Sequence, residues 1–164
     1  MKLAIVAVGR LKSGPERELV ERYRGRIAGM AGALGCSGLD IAELPEGRGR
    51  REDDRRAEEA TAIRARLGGA ALVVFDERGR SLGSEAFAGR LRDWRDQGRA
   101  AMACVIGGPD GLDQTLRDAA DLTLSFGAMT LPHQIVRALV AEQIYRALTI
   151  LSGHPYHRGG AEGP

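Results

Sequence analysis

Residues 100–112 read AAMACVIGGPDGL: Ala100-Ala101-Met102-Ala103-Cys104-Val105-Ile106-Gly107-Gly108-Pro109-Asp110-Gly111-Leu112. An uninterrupted apolar run of this length, bounded by glycine and proline, is the pattern of a strand buried on both faces. Such a strand needs helices above and below it, which makes this stretch part of a mostly parallel α/β sheet. The glycine turn then stands at the strand's carboxyl end, where ligands bind in open α/β sheets.

Working outward, apolar runs alternate with helical patterns on both sides. LAIVAV (3–8), LDIAEL (39–44), ALVVFDE (71–77) and DLTLSF (121–126) read as four further strands. Ser13-Gly14-Pro15-Glu16 resembles a capping box that opens a helix through Leu19, Tyr23 and Ile27. Residues 45–51, rich in glycine and arginine, read as a mobile loop before a charged helix that ends at Gly68-Gly69. Helices are also predicted over 84–96 and 112–120. The last helix carries the clearest stripe: Ile135, Val136, Leu139, Val140, Ile144, Ala147, Leu148 and Leu151, with Pro132 near its start and Gly153 at its end. Arg137, Glu142 and Arg146 lie largely off that stripe.

The totals bound the function. At 164 residues, 43% hydrophobic and 28% charged, the chain has the composition of one soluble domain, spanning 1–158, with a disordered GGAEGP tail at 159–164. No apolar run approaches the roughly 20 residues a membrane span needs, and MKLAIVAVGR is too short in its apolar part for a signal peptide. Cys36 and Cys104 stand far apart in no C-x-x-C pattern, which points to a reducing, cytoplasmic setting without a disulfide. The net charge is only +2, yet of 24 basic residues just Lys2 and Lys12 are lysines. Arginine's planar fork suits phosphate and base recognition.

Three strand-end loops deserve chemistry: 75–79, 107–111 and 126–133. The glycine turn matches neither G-x-G-x-x-G nor a P-loop, and no lysine follows Lys12, so a Walker-type nucleotide hydrolase is excluded. Two adjacent glycines would let a flat ligand approach the backbone, or simply make a tight turn. GAMTLP is small, apolar and uncharged where loops are usually polar. It suits an adenine ring, or a core segment in which Met129 and Leu131 pack inward. His133 opens the last helix. His154 and His157 are three residues apart, but Pro155 between them spoils a shared face and no carboxylate or thiol cluster is near, so no metal is expected.

MKLAIVAVGR, CVIGGPDGL and LSFGAMTLPHQIVRALVAEQIYRALTILSGHPYHR together resemble the RlmH family, small bacterial SPOUT-class methyltransferases of 23S ribosomal RNA. The resemblance covers nearly the whole chain and is strongest over 105–158. It implies an α/β sheet whose C-terminal part threads a trefoil knot, a homodimer, S-adenosyl-L-methionine as cofactor, and methylation of N3 of a pseudouridine in 23S rRNA, within the ribosome. Carried over by position, Phe75, Gly108, Gly127, Ala128, Met129, Thr130, Leu131 and Pro132 would bind the cofactor. Tyr156, His157 and Arg158 would face the target base. Gly127-Ala128-Met129 departs from the more usual Ser-x-Leu lead into TLPH, and the chain runs six residues beyond Arg158.

Arg158 would stabilise a developing enolate or hold a phosphate, Tyr156 would stack on or hydrogen-bond the base, and either His157 or His133 would take the N3 proton. Arg48, Arg50 and Arg51 are candidate phosphate contacts. Two other classes compete. A dinucleotide enzyme would need a glycine fingerprint after the first strand, where Gly9-Arg10-Leu11-Lys12-Ser13-Gly14 stands instead. A catalytically inactive RNA- or ribosome-binding protein of the same fold would share every feature above.

Overall fold

The computed structural model describes residues 1–156. His157, Arg158 and the expected 159–164 tail lie outside the described residues. The five strands are β1 (Lys2–Val8), β2 (Leu39–Leu44), β3 (Ala71–Arg80), β4 (Ala101–Ile106) and β5 (Leu122–Leu124), in the order β2-β1-β4-β3-β5. All pairings are parallel. The apolar run that opened the sequence reading, β4, sits at the centre between β1 and β3, as its lack of polar positions requires.

Side chains alternate across the sheet with the strand period of two. Leu3, Ile5 and Ala7, with Val73, Phe75, Met102, Cys104 and Ile106, face one layer of helices: α1 (Pro15–Met30), α3 (Ser84–Asp96) and α5 (His133–Ser152). Val6, Val8, Leu72, Val74 and Val105 face the other, where Ile63 of α2 (Glu52–Leu67) and Leu116 of α4 (Gln114–Asp118) cover them. Burial at the sheet centre is complete enough to push the Cys104 thiol up to about 12. No helix among the described residues is long and apolar enough to cross a membrane.

Several local expectations change. Gly14, not Ser13, caps α1, and no side chain completes a capping box, although Pro15 does occupy the first turn. The glycines at 25 and 29 are carried within α1, which ends at Met30 and tightens into a 3-10 turn (Ala31–Leu34). β5 stops at Leu124, two residues short of the predicted strand, and β3 runs three residues beyond its predicted end. After Phe75 the β3–β5 register shifts, and Arg80 comes back beside Leu124. The turn at 76–79 therefore bulges out of the sheet at its carboxyl edge.

Candidate functional site

The carboxyl ends of β3, β4 and β5 and the start of α5 enclose a cavity of about 790 Å³. Phe75, the last residue of β3 to pair with β4, stacks its ring on Phe126 at 5.2 Å between centroids and 16° between planes. These rings and Leu124 make an apolar floor. Of the residues predicted from the sequence, Phe75, Gly108, Gly127, Met129, Thr130, Leu131, Pro132 and His133 all border the cavity. Ala128 is not among its lining residues. Met129 is 83% exposed, which overturns the core reading of that side chain; Leu131 is exposed too.

The glycine turn is tight for internal reasons. Gly111 donates its N–H to the Gly108 carbonyl at 3.0 Å. A Cβ at Gly107 would stand 2.9 Å from Leu112 Cγ, and one at Gly108 would stand 2.9 Å from Val8 Cγ1. Both glycines thus make room for the protein's own packing, and the turn that results presents its outer side to the cavity.

Sequence reasoning missed the ion pairs that fix these turns. Arg117 of α4 donates to Asp76 at 3.1 Å and to the Leu112 carbonyl at 2.6 Å, tying the β3 turn to the β4 turn. Both side chains are largely buried. On the far side of the glycine turn, Arg55 Nε and Nη2 grip Asp110 Oδ2 and Oδ1 at 2.6 and 3.0 Å, and Arg56 Nη1 donates to the Asp110 carbonyl at 3.2 Å. The Arg55 guanidinium holds the Asp110 carboxyl below its ordinary value. The only signal in the sequence was an aspartate in a glycine turn with arginines elsewhere, and the spacing of 55 residues hides the pair.

The segment 45–51, expected to be mobile, is strapped onto α2. Gly47 N–H donates to Glu59 Oε1 at 2.8 Å and Arg48 N–H to Glu58 Oε2 at 2.7 Å, while Arg55 Nη1 reaches the Gly49 and Arg50 carbonyls. A Cβ at Gly47 would stand 2.6 Å from Arg55 Cα, and one at Gly49 would stand 2.5 Å from Asp54 Cβ. Glycine is what lets the strap lie this close. Glu59 is buried, with Oε2 unpartnered, and burial raises its carboxyl above the ordinary value.

The start of α5 is anchored by a second buried charge. Arg137, which lies off the apolar stripe, is nevertheless 1% exposed. It donates to Glu43 Oε1 at 2.5 Å and to the Gly9 carbonyl at 3.1 Å; Glu43 Oε1 also accepts the Leu11 N–H at 2.8 Å. Burial lowers the guanidinium's pKa and Glu43 opposes the shift. The anchor brings half-buried His133 beside the end of β1: a Cβ at Gly9 would lie 3.8 Å from His133 Nε2 and 3.5 Å from Glu46 Oε1.

Tyr156, the last described residue, folds back onto α5 but not into the cavity. Its ring meets Tyr145 edge-on at 4.8 Å, Arg146 lies over it at 5.0 Å, and its hydroxyl donates to Glu142 Oε1 at 3.3 Å. Burial, Tyr23 and Glu142 push its phenol up to about 12. Tyr145 lies about 18 Å along α5 from His133, at 1.5 Å per residue. His157 and Arg158 lie outside the described residues. Among the described residues no group of three or more His, Cys, Asp or Glu is gathered to hold a metal ion.

Residues 1–157 match the family model described as "Predicted SPOUT methyltransferase". The chain belongs to the SPOUT methyltransferase family. Within that family, the Ribosomal RNA large subunit methyltransferase H of Methylobacterium radiotolerans is 58% identical over 163 residues, which cover 98% of this chain and 99% of the relative. The protein of the same name from Brucella anthropi is 54% identical over 159 residues, covering 96% and 99%. The resemblance to the RlmH group stated from the sequence therefore stands. A probable methylase family protein from Haemophilus influenzae Rd KW20 superimposes with a TM-score of 0.51 at 12% identity, over 96% of this chain and 70% of that one. At such low identity that likeness bears on the SPOUT fold alone.

Proposed function

We propose that this protein is an S-adenosyl-L-methionine-dependent methyltransferase acting on N3 of a pseudouridine in 23S rRNA of the large ribosomal subunit. The observation that carries the reading is the convergence of the three predicted loops on one cavity, in a chain whose relatives bear the name of a ribosomal RNA methyltransferase. The residues present fit the cofactor. A volume of about 790 Å³ lies within the usual range for small-molecule sites. Its floor of Phe75, Leu124 and Phe126 offers a flat apolar surface for a purine, and the backbone of 107–111 and 127–132 offers polar groups to read its edge.

When bound, S-adenosylmethionine supplies an electrophilic methyl group on sulfur. The protein's task is then alignment and proton removal. A ring N–H is a poor nucleophile until its proton leaves. We assign the acceptance of that proton to an imidazole nitrogen of His133, which among the described residues is the histidine that borders the cavity. The loops 107–111 and 126–132 orient the reacting groups and exclude water.

The homodimer belongs to the same reading. Met129 and Leu131, which border the cavity, and Ile135 in the first turn of α5 are exposed apolar side chains, a surface that a second copy would cover. Tyr156 stands far from its own His133, which favours a site shared between copies in which Tyr156 would meet the target base; His157 and Arg158, expected at the same base, lie outside the described residues. One domain over 1–158, knotted threading of its C-terminal part and a cytoplasmic place of work complete the proposal. The test is transfer of labelled methyl to ribosomes from cells lacking this protein, followed by mapping of the modified nucleotide. His133→Ala should lower the methylation rate by about 10²- to 10⁴-fold while leaving S-adenosylhomocysteine binding measurable. A rate within twofold or so of wild type would remove His133 from the mechanism.

A further inference from the structure

We infer that Arg55 is a positioning residue that couples the strap at 45–51 to the glycine turn, so that RNA held by the strap and cofactor held by the turn strengthen each other's binding. The inference rests on the function proposed above. Its basis is one planar guanidinium serving two loops. Nε and Nη2 point to the two carboxylate oxygens of Asp110, while Nη1 donates to the Gly49 and Arg50 carbonyls at 3.2 and 3.3 Å. A planar fork cannot turn toward one partner without misaligning the other.

The strap has no slack to absorb such a turn. Gly47 and Gly49 lie against Arg55 and Asp54 at distances that admit no Cβ, and the N–H groups of Gly47 and Arg48 are held by Glu59 and Glu58. The strap is also equipped for an anionic partner. Arg48, Arg50 and Arg51 are exposed, and none of the ion pairs formed among the described residues employs them. Next to Arg55, Arg56 both borders the cavity and donates to the Asp110 carbonyl. A phosphate backbone drawn to the strap arginines therefore bears on the carbonyls that orient Arg55, and through it on the turn that faces the cofactor. Linkage requires the effect to run equally in the other direction.

Equilibrium dialysis of tritiated S-adenosylhomocysteine against the full chain, with and without ribosomes from cells lacking the protein, tests this. With wild type, ribosomes should tighten the ligand by about five- to tenfold. Arg55→Lys retains a charge for Asp110 but cannot fork to both loops. It should bind the ligand alone within about threefold of wild type and lose the enhancement. Asp110→Asn, which breaks the pair from the other side, should lose it as well. Ligand binding by wild type that ignores ribosomes overturns the coupling, as does an enhancement that survives in both variants. So does a folded Arg55→Lys that no longer binds the ligand at all, because Arg55 would then serve only the turn. Wild type that binds no S-adenosylhomocysteine under any condition instead overturns the proposed function, and this inference falls with it.

Discussion

The two rims of the cavity are built by opposite means. On the strap side, Arg55, Arg56, Glu58, Glu59 and Asp110 meet backbone groups of the strap and the glycine turn in a continuous polar net. On the other side, residues 126–132 are held by the stacking of Phe126 on Phe75 and by Ser125, whose hydroxyl accepts the Gly127 N–H and donates to the Gly127 carbonyl. Their apolar side chains stand in solvent. Charge-assisted hydrogen bonds fix direction as well as distance, so the strap rim is set before any ligand arrives. Apolar contact is non-directional and gains strength when water is excluded, so the loop rim is completed by whatever covers it.

That contrast can be broken at its anchors. The largest effect belongs to Arg137→Ala, which removes a buried guanidinium, leaves the buried Gly9 carbonyl without its donor and frees the start of α5 just behind the open loop. An unsatisfied buried acceptor costs about 1–3 kcal/mol, the lost packing of the long side chain adds to it, and a denaturant titration should show the loss as a fall in midpoint at constant slope. Next comes Gly47→Ala. Its Cβ collides with the Arg55 backbone, which a rotamer change cannot relieve, and overpacking of this kind costs about 1–3 kcal/mol. Hydrogen exchange should localise the loss to the strap and the first turns of α2.

Met129→Ala sharpens the comparison from the other rim. So exposed a side chain should leave stability within about 0.5 kcal/mol of wild type, yet weaken S-adenosylhomocysteine binding by about three- to tenfold through lost apolar contact. Smallest of all is the response to acid. Arg55 depresses the Asp110 carboxyl, so the stabilisation from this pair is present above the ordinary aspartate value of 3.8 and is lost as pH falls through the lower folded value. Protection of the Gly47 and Arg48 amides, measured against their intrinsic exchange rates, should fall there and not between pH 5 and 8; a fall in the neutral range would assign the strap to another group.

How much of this could be read from residues alone follows the same divide. The apolar half was legible because strand and helix periods announce themselves locally: β4 was visible as a charge-free run, and α5 as a stripe from Ile135 to Leu151. The cavity was legible for a related reason, since strand ends place 75–79, 107–111 and 126–133 together whatever their side chains do. The polar half was not. Arg137 was read only as lying off the apolar stripe, and the acceptors that bury it, Glu43 and the Gly9 carbonyl, lie at the far end of the chain. Likewise, residues 45–51 have the composition of a mobile loop, and only contacts with α2 show them strapped down. Tyr156 was placed at the target base by resemblance alone, because nothing local in the sequence says which surface a terminal ring will meet. The surface it finds in its own chain is α5.

Arg137 also carries a consequence for how the molecule is made. Its guanidinium satisfies the Gly9 carbonyl across 128 residues of sequence. A nascent polypeptide leaving the exit tunnel would complete nearly all of its translation with the first strand's carboxyl end still unsealed. Closure must wait for the final helix, so this protein should reach its native state late and slowly for its size, and a truncation before residue 137 should never acquire the native sheet edge at all.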